Sequence, residues 1–102
     1  MILIIGSITK ERNNGFKQAK DHLLDTEKFH KIYGTKDIIR LDELRKQFYY
    51  LDDRQFMDLM LHLISYFDTV YVLKSWEVDV DARLLHDYAG NNGYKIIYSK
   101  KF

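Results

Sequence analysis

Two short stretches of this chain carry residue types that suit ligand chemistry. The first is Gly6-Ser7-Ile8-Thr9, which follows the apolar run Ile2-Leu3-Ile4-Ile5. Glycine permits another group to approach the backbone closely, and Ser7 and Thr9 offer hydroxyls. A helix starting just beyond would present unpaired N–H groups, so the segment could cradle an anion such as a phosphate. The same residues also suit a plain strand-end turn with a helix cap, and no Walker-type or GxGxxG spacing accompanies them. The second stretch is Lys74-Ser75-Trp76-Glu77-Val78-Asp79, with Asp81 two residues on. Trp76 offers a ring for a planar ligand to stack on, or a ring for ordinary packing. Asp79 and Asp81 can cap a helix, or offer carboxylates to a ligand. Tyr49 and Tyr50 fall where a lid would lie. His22, His30, His62 and His86 show no HxH or HExxH spacing, so neither a metal site nor a cofactor is expected.

The elements that would position these residues follow from hydrophobic periodicity. Ile2 to Ile5 is a continuous β-branched run, as in a strand covered on both faces. Phe16, Ala19, Leu23 and Leu24 then follow helical spacing, with Lys20 and Glu27 in the same register and Asn13 or Asn14 available as a cap. Gly34 breaks that pattern, and residues 37–41 read as a second, less buried strand. Residues 42–51 are ambiguous: a charged turn, then Phe48-Tyr49-Tyr50. Asp52 with Gln55 forms a capping-box start for a helix striped by Phe56, Leu59, Met60, Leu63, Ile64 and Phe67. That stripe is core rather than a cofactor box.

Residues 69–73 form the third strand. Asp79 or Asp81 opens a third helix with Ala82, Leu85 and Ala89 on one side, and Asn91-Asn92-Gly93 ends it. Residues 95–98 form the last strand. Strand and helix alternate throughout, so the expected fold class is α/β: a four-stranded parallel sheet with right-handed crossovers, ordered 2-1-3-4. In that order the chain reverses between strands one and three, and ligands bind outside the carboxyl ends at the reversal. The Gly6–Thr9 and Lys74–Asp79 stretches would meet there.

Composition narrows the classes. The 102 residues are read as one domain, 1–102, large enough for a core, and 46% are apolar, too many for a disordered chain. With 16 basic and 15 acidic side chains the net charge is +1, so no nucleic-acid polymer and no anionic membrane surface is expected as a partner. No run approaches the roughly 20 apolar residues of a membrane span, and the start lacks a secretory pattern. The absence of cysteine fits a reducing compartment, so a cytoplasmic protein is expected.

The segments IIGSIT, FDTVYVLKSWEVDVDARLLHDYAG and GYKIIYSKKF together resemble the nucleoside 2-deoxyribosyltransferase-like group. That group includes the transferases, the 2′-deoxynucleoside 5′-phosphate N-hydrolases and small phage-associated domains. The similarity covers most of the chain and is least over residues 30–52. It implies a flavodoxin-like three-layer fold with a site at the first and third strand ends. Gly6, Ser7 and Ile8 match the segment that holds the 5′ end in phosphate-using members. Such enzymes displace the base at the anomeric carbon with a glutamate, forming a covalent sugar ester, because a carboxylate stabilises the positive charge developing on the sugar.

In the small relatives this glutamate lies in a helix opening like G-A-R-L-E-H-E-L-A. The matching run here is Asp81-Ala82-Arg83-Leu84-Leu85-His86-Asp87-Tyr88-Ala89. Leu85 occupies the glutamate position, Asp81 that of the opening glycine, and Met60 falls at a further acid of the preceding helix.

These readings converge on a nucleoside- or nucleotide-binding protein whose glycosyl transfer or N-glycoside hydrolysis is lost. The ligand-binding candidates are Gly6, Ser7, Ile8, Thr9, Trp76 and Asp79, and the candidates for residual catalysis are Asp79 and Asp81. The resemblance also implies a homo-oligomer. The alternative is a phage-derived interaction protein that binds a host protein or sequesters a nucleotide signal.

Overall fold

A computed structural model describes residues 1–8, 13–25 and 38–102, without the side chains of Asn13, Asn14 and Ser75. Thr9, Glu27, His30, Gly34 and Asp37 lie outside the described residues. Strand β1 (Ile2–Ile5) is followed by helix α1 (Asn13–Asp25) and strand β2 (Ile38–Arg40). Helices α2 (Leu41–Gln47) and α3 (Asp53–Leu63) lead through a 3-10 turn at Ile64–Tyr66 to strand β3 (Thr69–Val72). A second 3-10 turn (Lys74–Val78), helix α4 (Val80–Asn91) and strand β4 (Lys95–Tyr98) complete the order.

All strand pairs are parallel and the sheet order is β2-β1-β3-β4. Ile2 lies opposite Ile38 on one side and Thr69 on the other, so β1 is central and all four of its residues are fully buried. Helix α1 packs on β1 and β2, while α4 packs on β1, β3, β4 and α3. Right-handed crossovers place α1 on one face and α3 and α4 on the other, which is a flavodoxin-like α/β fold.

The apolar stripes read from the sequence fill the core. Phe16, Ala19 and Leu23 of α1, Phe56 and Met60 of α3, and Ala82, Leu85 and Ala89 of α4 are all buried. Each large side chain so placed stabilises the fold by roughly 1.5–3 kcal/mol. The capping box is formed as its residues require: the Gln55 N–H donates to Asp52 Oδ1 at 2.8 Å, and the Asp52 N–H donates to Gln55 Oε1 at 3.0 Å. Gly93 closes α4 with a φ of 75°, the left-handed geometry that glycine adopts without strain.

Two boundaries differ from the sequence reading. Leu41 opens α2 instead of ending β2. The cause is Asp42, which is buried and accepts from Arg40 Nε at 3.0 Å, Arg40 Nη2 at 2.6 Å and the Glu43 N–H at 3.0 Å. This knot turns the chain straight from strand into helix and resolves the ambiguous 42–51 segment into α2 and a short loop. Leu73 lies just past β3. Its N–H still donates to Ile5 O at 2.9 Å, but its side chain folds over Gly6.

Candidate functional site

The carboxyl ends of β1 and β3 lie side by side, and the chain leaves each in a different way. After β1, Gly6 passes directly beneath Leu73: a Cβ at Gly6 would stand 2.8 Å from Leu73 Cδ1 and 2.9 Å from Leu73 Cβ. Glycine is therefore required here for packing against β3. Ser7 is buried next to it, and Ile8 emerges half-buried. After β3, the turn Lys74–Val78 carries the chain to Asp79, whose Oδ1 accepts from the Ala82 N–H at 2.9 Å and caps α4. Asp81 follows in the first turn of that helix.

Ile8, Asp79 and Asp81 open into one cleft of about 240 Å³, walled on its other side by Leu41, Arg45, Asp53 and Phe56. The Asp42 knot sets the direction of α2, and hence where Leu41 and Arg45 stand. Arg45 is the pivot of this wall. It donates to Phe48 O at 2.9 Å, to Leu51 O at 3.0 Å and to Asp53 Oδ1 at 3.2 Å. Its guanidinium lies 4.9 Å from the centre of the Phe56 ring. The loop joining α2 to α3 is thus tied to the cleft by one cation.

The electrostatics of the cleft are dominated by carboxylates. Burial pushes the Asp81 carboxyl above its ordinary range, Asp79 and then Asp53 push it further, and Arg45 opposes them. Asp53, Asp79 and Asp81 therefore face one arginine, which spends three hydrogen bonds on Phe48 O, Leu51 O and Asp53. Among the described residues no group of three His, Asp or Glu side chains could hold a metal ion. What the cleft can do is accept hydrogen bonds and, through Asp81, exchange a proton.

Three of the residues singled out from the sequence meet in this cleft: Ile8, Asp79 and Asp81. Gly6 and Ser7 support it from below without lining it. Trp76 points elsewhere, stacking on the His86 ring with centroids 3.9 Å apart and planes 26° apart, and lying 6.3 Å from the Tyr98 ring. Tyr49 and Tyr50 are exposed on the loop that Arg45 holds, edge to face at 5.8 Å, and neither lines the cleft. Leu85 and Met60 are fully buried core side chains.

A second constellation escaped the sequence reading. His86 Nδ1 lies 3.0 Å from Asp87 Oδ1, and its Nε2 lies 2.6 Å from the Tyr98 hydroxyl. A neutral ring donating Nδ1–H to Asp87 leaves Nε2 to accept from that hydroxyl, so each polar atom is matched. The usable signal was that Trp76 and Tyr98 both leave or end neighbouring strands beside α4. A larger, more open hollow of about 350 Å³ runs along β4 between His22, Tyr71, Ile97, Lys100 and Lys101. It lies at the sheet edge, away from the strand-order reversal.

A family model for a domain of unknown function (DUF4406) matches residues 3–98. The chain belongs to the DUF4406 family. The matched span of this DUF4406 domain contains the whole cleft and the whole Trp76–His86–Tyr98 patch. Comparison with curated proteins and with solved structures finds no match.

Proposed function

We propose that this DUF4406 domain binds a nucleoside or nucleotide in the acidic cleft and does not transfer its sugar. One observation carries the reading: Ile8 from the β1 end and the Asp79–Asp81 pair from the β3 end share a cleft at the reversal of strand order, where open α/β sheets take their ligands. Paired carboxylates suit the hydroxyls of a sugar, and Ile8, Leu41 and Phe56 supply apolar surface for a base. At about 240 Å³ the cleft lies just under the roughly 300 Å³ lower end of small-molecule sites, a size for one nucleoside rather than a dinucleotide. The charge balance favours an uncharged nucleoside over its 5′-phosphate, because three carboxylates face one arginine in the cleft.

The silent chemistry follows from Leu85. A leucine can neither attack an anomeric carbon nor stabilise an oxocarbenium ion, and this one is fully buried. A thermal-shift screen of nucleosides, nucleoside monophosphates and nucleotide second messengers tests the binding, since a ligand of the folded state stabilises by mass action. The expected result is a shift with nucleosides that Asp79→Ala and Asp81→Asn both reduce. Chromatography of the same mixtures is expected to detect no free base. A blank screen would overturn the nucleoside reading in favour of an interaction protein, to which the exposed rings of Tyr49 and Tyr50 lend themselves.

A further inference from the structure

The two faces of the sheet are covered unequally. Ile96 turns toward α4, since a Cβ at Gly90 would stand 3.7 Å from Ile96 Cδ1. Successive strand residues alternate, so Ile97 faces the opposite side, next to its register partner Tyr71. On that side α1 packs on β1 and β2, and no helix among the described residues packs over β3 and β4. The space left there is the hollow of about 350 Å³, within the roughly 300–1,000 Å³ of small-molecule sites. Leu23, Tyr71 and Ile97 give it an apolar wall, and Lys100 and Lys101, just past β4, add two cations. Ser99 fixes the segment that carries them. Its N–H donates to Val72 O at 2.8 Å, and its hydroxyl accepts from the Lys101 N–H at 3.3 Å and the Phe102 N–H at 2.8 Å. The Phe102 ring then meets the His22 ring of α1 edge to face at 5.7 Å, so the segment is held at both ends.

Two features of this hollow are unsatisfied within the chain. Tyr71 is only 6% exposed, yet its hydroxyl makes no hydrogen bond among the described residues. Buried hydroxyls nearly always have a partner, so this phenol keeps a donor for a group in the hollow. Lys100 and Lys101 form no ion pair among the described residues, and no acidic side chain lines the hollow. We propose that the hollow binds a small aryl carboxylate. The flat apolar body lies against Leu23, Ile97 and the Tyr71 ring. The carboxylate accepts from the Tyr71 hydroxyl and from the lysine ammonium groups. An uncharged ring would leave both cations unused, and a bare inorganic anion would leave the apolar wall wet. The cleft at the strand-order reversal repels the same ligand, because three carboxylates there face one arginine. This inference is independent of what fills that cleft.

Amide NMR of the full chain, titrated with naphthoate, with its neutral counterpart naphthamide and with inorganic phosphate, reads the site directly. Naphthoate is expected to give saturable shifts at His22, Ile97, Lys100 and Lys101 and none at Asp79 or Asp81. Naphthamide is expected to bind at least about tenfold more weakly, and phosphate to leave these amides unmoved at the same concentrations. Lys100→Gln with Lys101→Gln should weaken naphthoate by at least about tenfold while leaving naphthamide unchanged. Tyr71→Phe should weaken naphthoate by at least about threefold without lowering Tm, because the hydroxyl it removes holds no bond in the chain. Absence of saturation up to millimolar naphthoate overturns the proposal, as do shifts confined to the acidic cleft. Equal binding of naphthamide overturns it, and so does phosphate moving the same amides, which would reduce the site to lysine charge. A Tyr71→Phe chain that binds like the parent, or that has a lowered Tm because its hydroxyl already had a partner, overturns it as well.

Discussion

Helix α4 serves two polar regions that differ in kind. At its N-terminus, Asp79 and Asp81 enter a cleft where like charges crowd together, and the Asp81 carboxyl is held above its ordinary range by burial and by its neighbours. Two turns on, His86 stacks on Trp76 and is matched on both ring nitrogens by Asp87 and Tyr98. In the patch every group satisfies another, which is what a structural network does. In the cleft the groups repel one another, and that arrangement lowers stability unless something outside the chain uses it. Polar residues alone therefore do not mark a site; unresolved electrostatic conflict within a cleft does.

The most severe way to break this contrast is to place a further acid beneath the cleft. Leu85 is fully buried one helical turn after Asp81. Leu85→Glu is expected to destabilise by several kcal/mol, because a carboxylate without a partner pays a desolvation penalty of that order. Urea denaturation followed by circular dichroism measures it, with Leu85→Met as a control expected to lose less than about 1.5 kcal/mol. If Leu85→Glu proved nearly neutral, the side chain would have found its way into the cleft, and the boundary between core and site would lie deeper than its burial indicates.

The middle-sized effect belongs to the patch. His86→Ala removes a ring stack and two hydrogen bonds, and should cost about 1–2 kcal/mol while shifting the emission of Trp76, the single tryptophan, to longer wavelength. Its nucleoside thermal shift should match that of the parent protein. A lost ligand response in His86→Ala would merge the two regions into one site and remove the distinction drawn between them.

How far each region could be read from the residues differs for the same physical reason. The sheet and its order followed from periodicity, because Ile2–Ile5 and Val70-Tyr71-Val72-Leu73 are continuous apolar runs and the intervening stripes are helical. Asp79 and Asp81 could be placed near the strand ends because a parallel sheet fixes where its loops gather. Arg45 could not, since it comes from the segment 42–51, whose start depends on the buried Arg40–Asp42 pair rather than on any pattern, and Phe56 was legible only as part of a core stripe. Trp76 misled for a related reason: its position after β3 is legible, but its direction is set by His86 and Tyr98, ten and twenty-two residues away. Gly6 was read as room for a ligand, and the room is taken by Leu73.

The finest test concerns the proton on Asp81. Its carboxyl titrates above the ordinary value of 3.8 in the folded chain and near it when unfolded. Between those two points the folded state holds the extra proton, so this residue makes stability fall as pH rises through the interval. Below the ordinary value the penalty is absent; above the raised one it is complete. Asp81→Asn removes the ionisation, so the variant should equal the parent at acid pH and exceed it at neutral pH by a small margin. Equal denaturation midpoints at both pH values would mean that neither burial nor Asp79 and Asp53 burden Asp81. Ligand binding should run the other way, because a sugar hydroxyl donates best to the ionised carboxylate and the affinity of the parent should rise with pH over the same interval. A variant that is more stable yet binds more weakly is the outcome expected of a residue kept for its ligand, and the two measurements together separate that role from helix capping, which Asp79 performs and Asp81 does not.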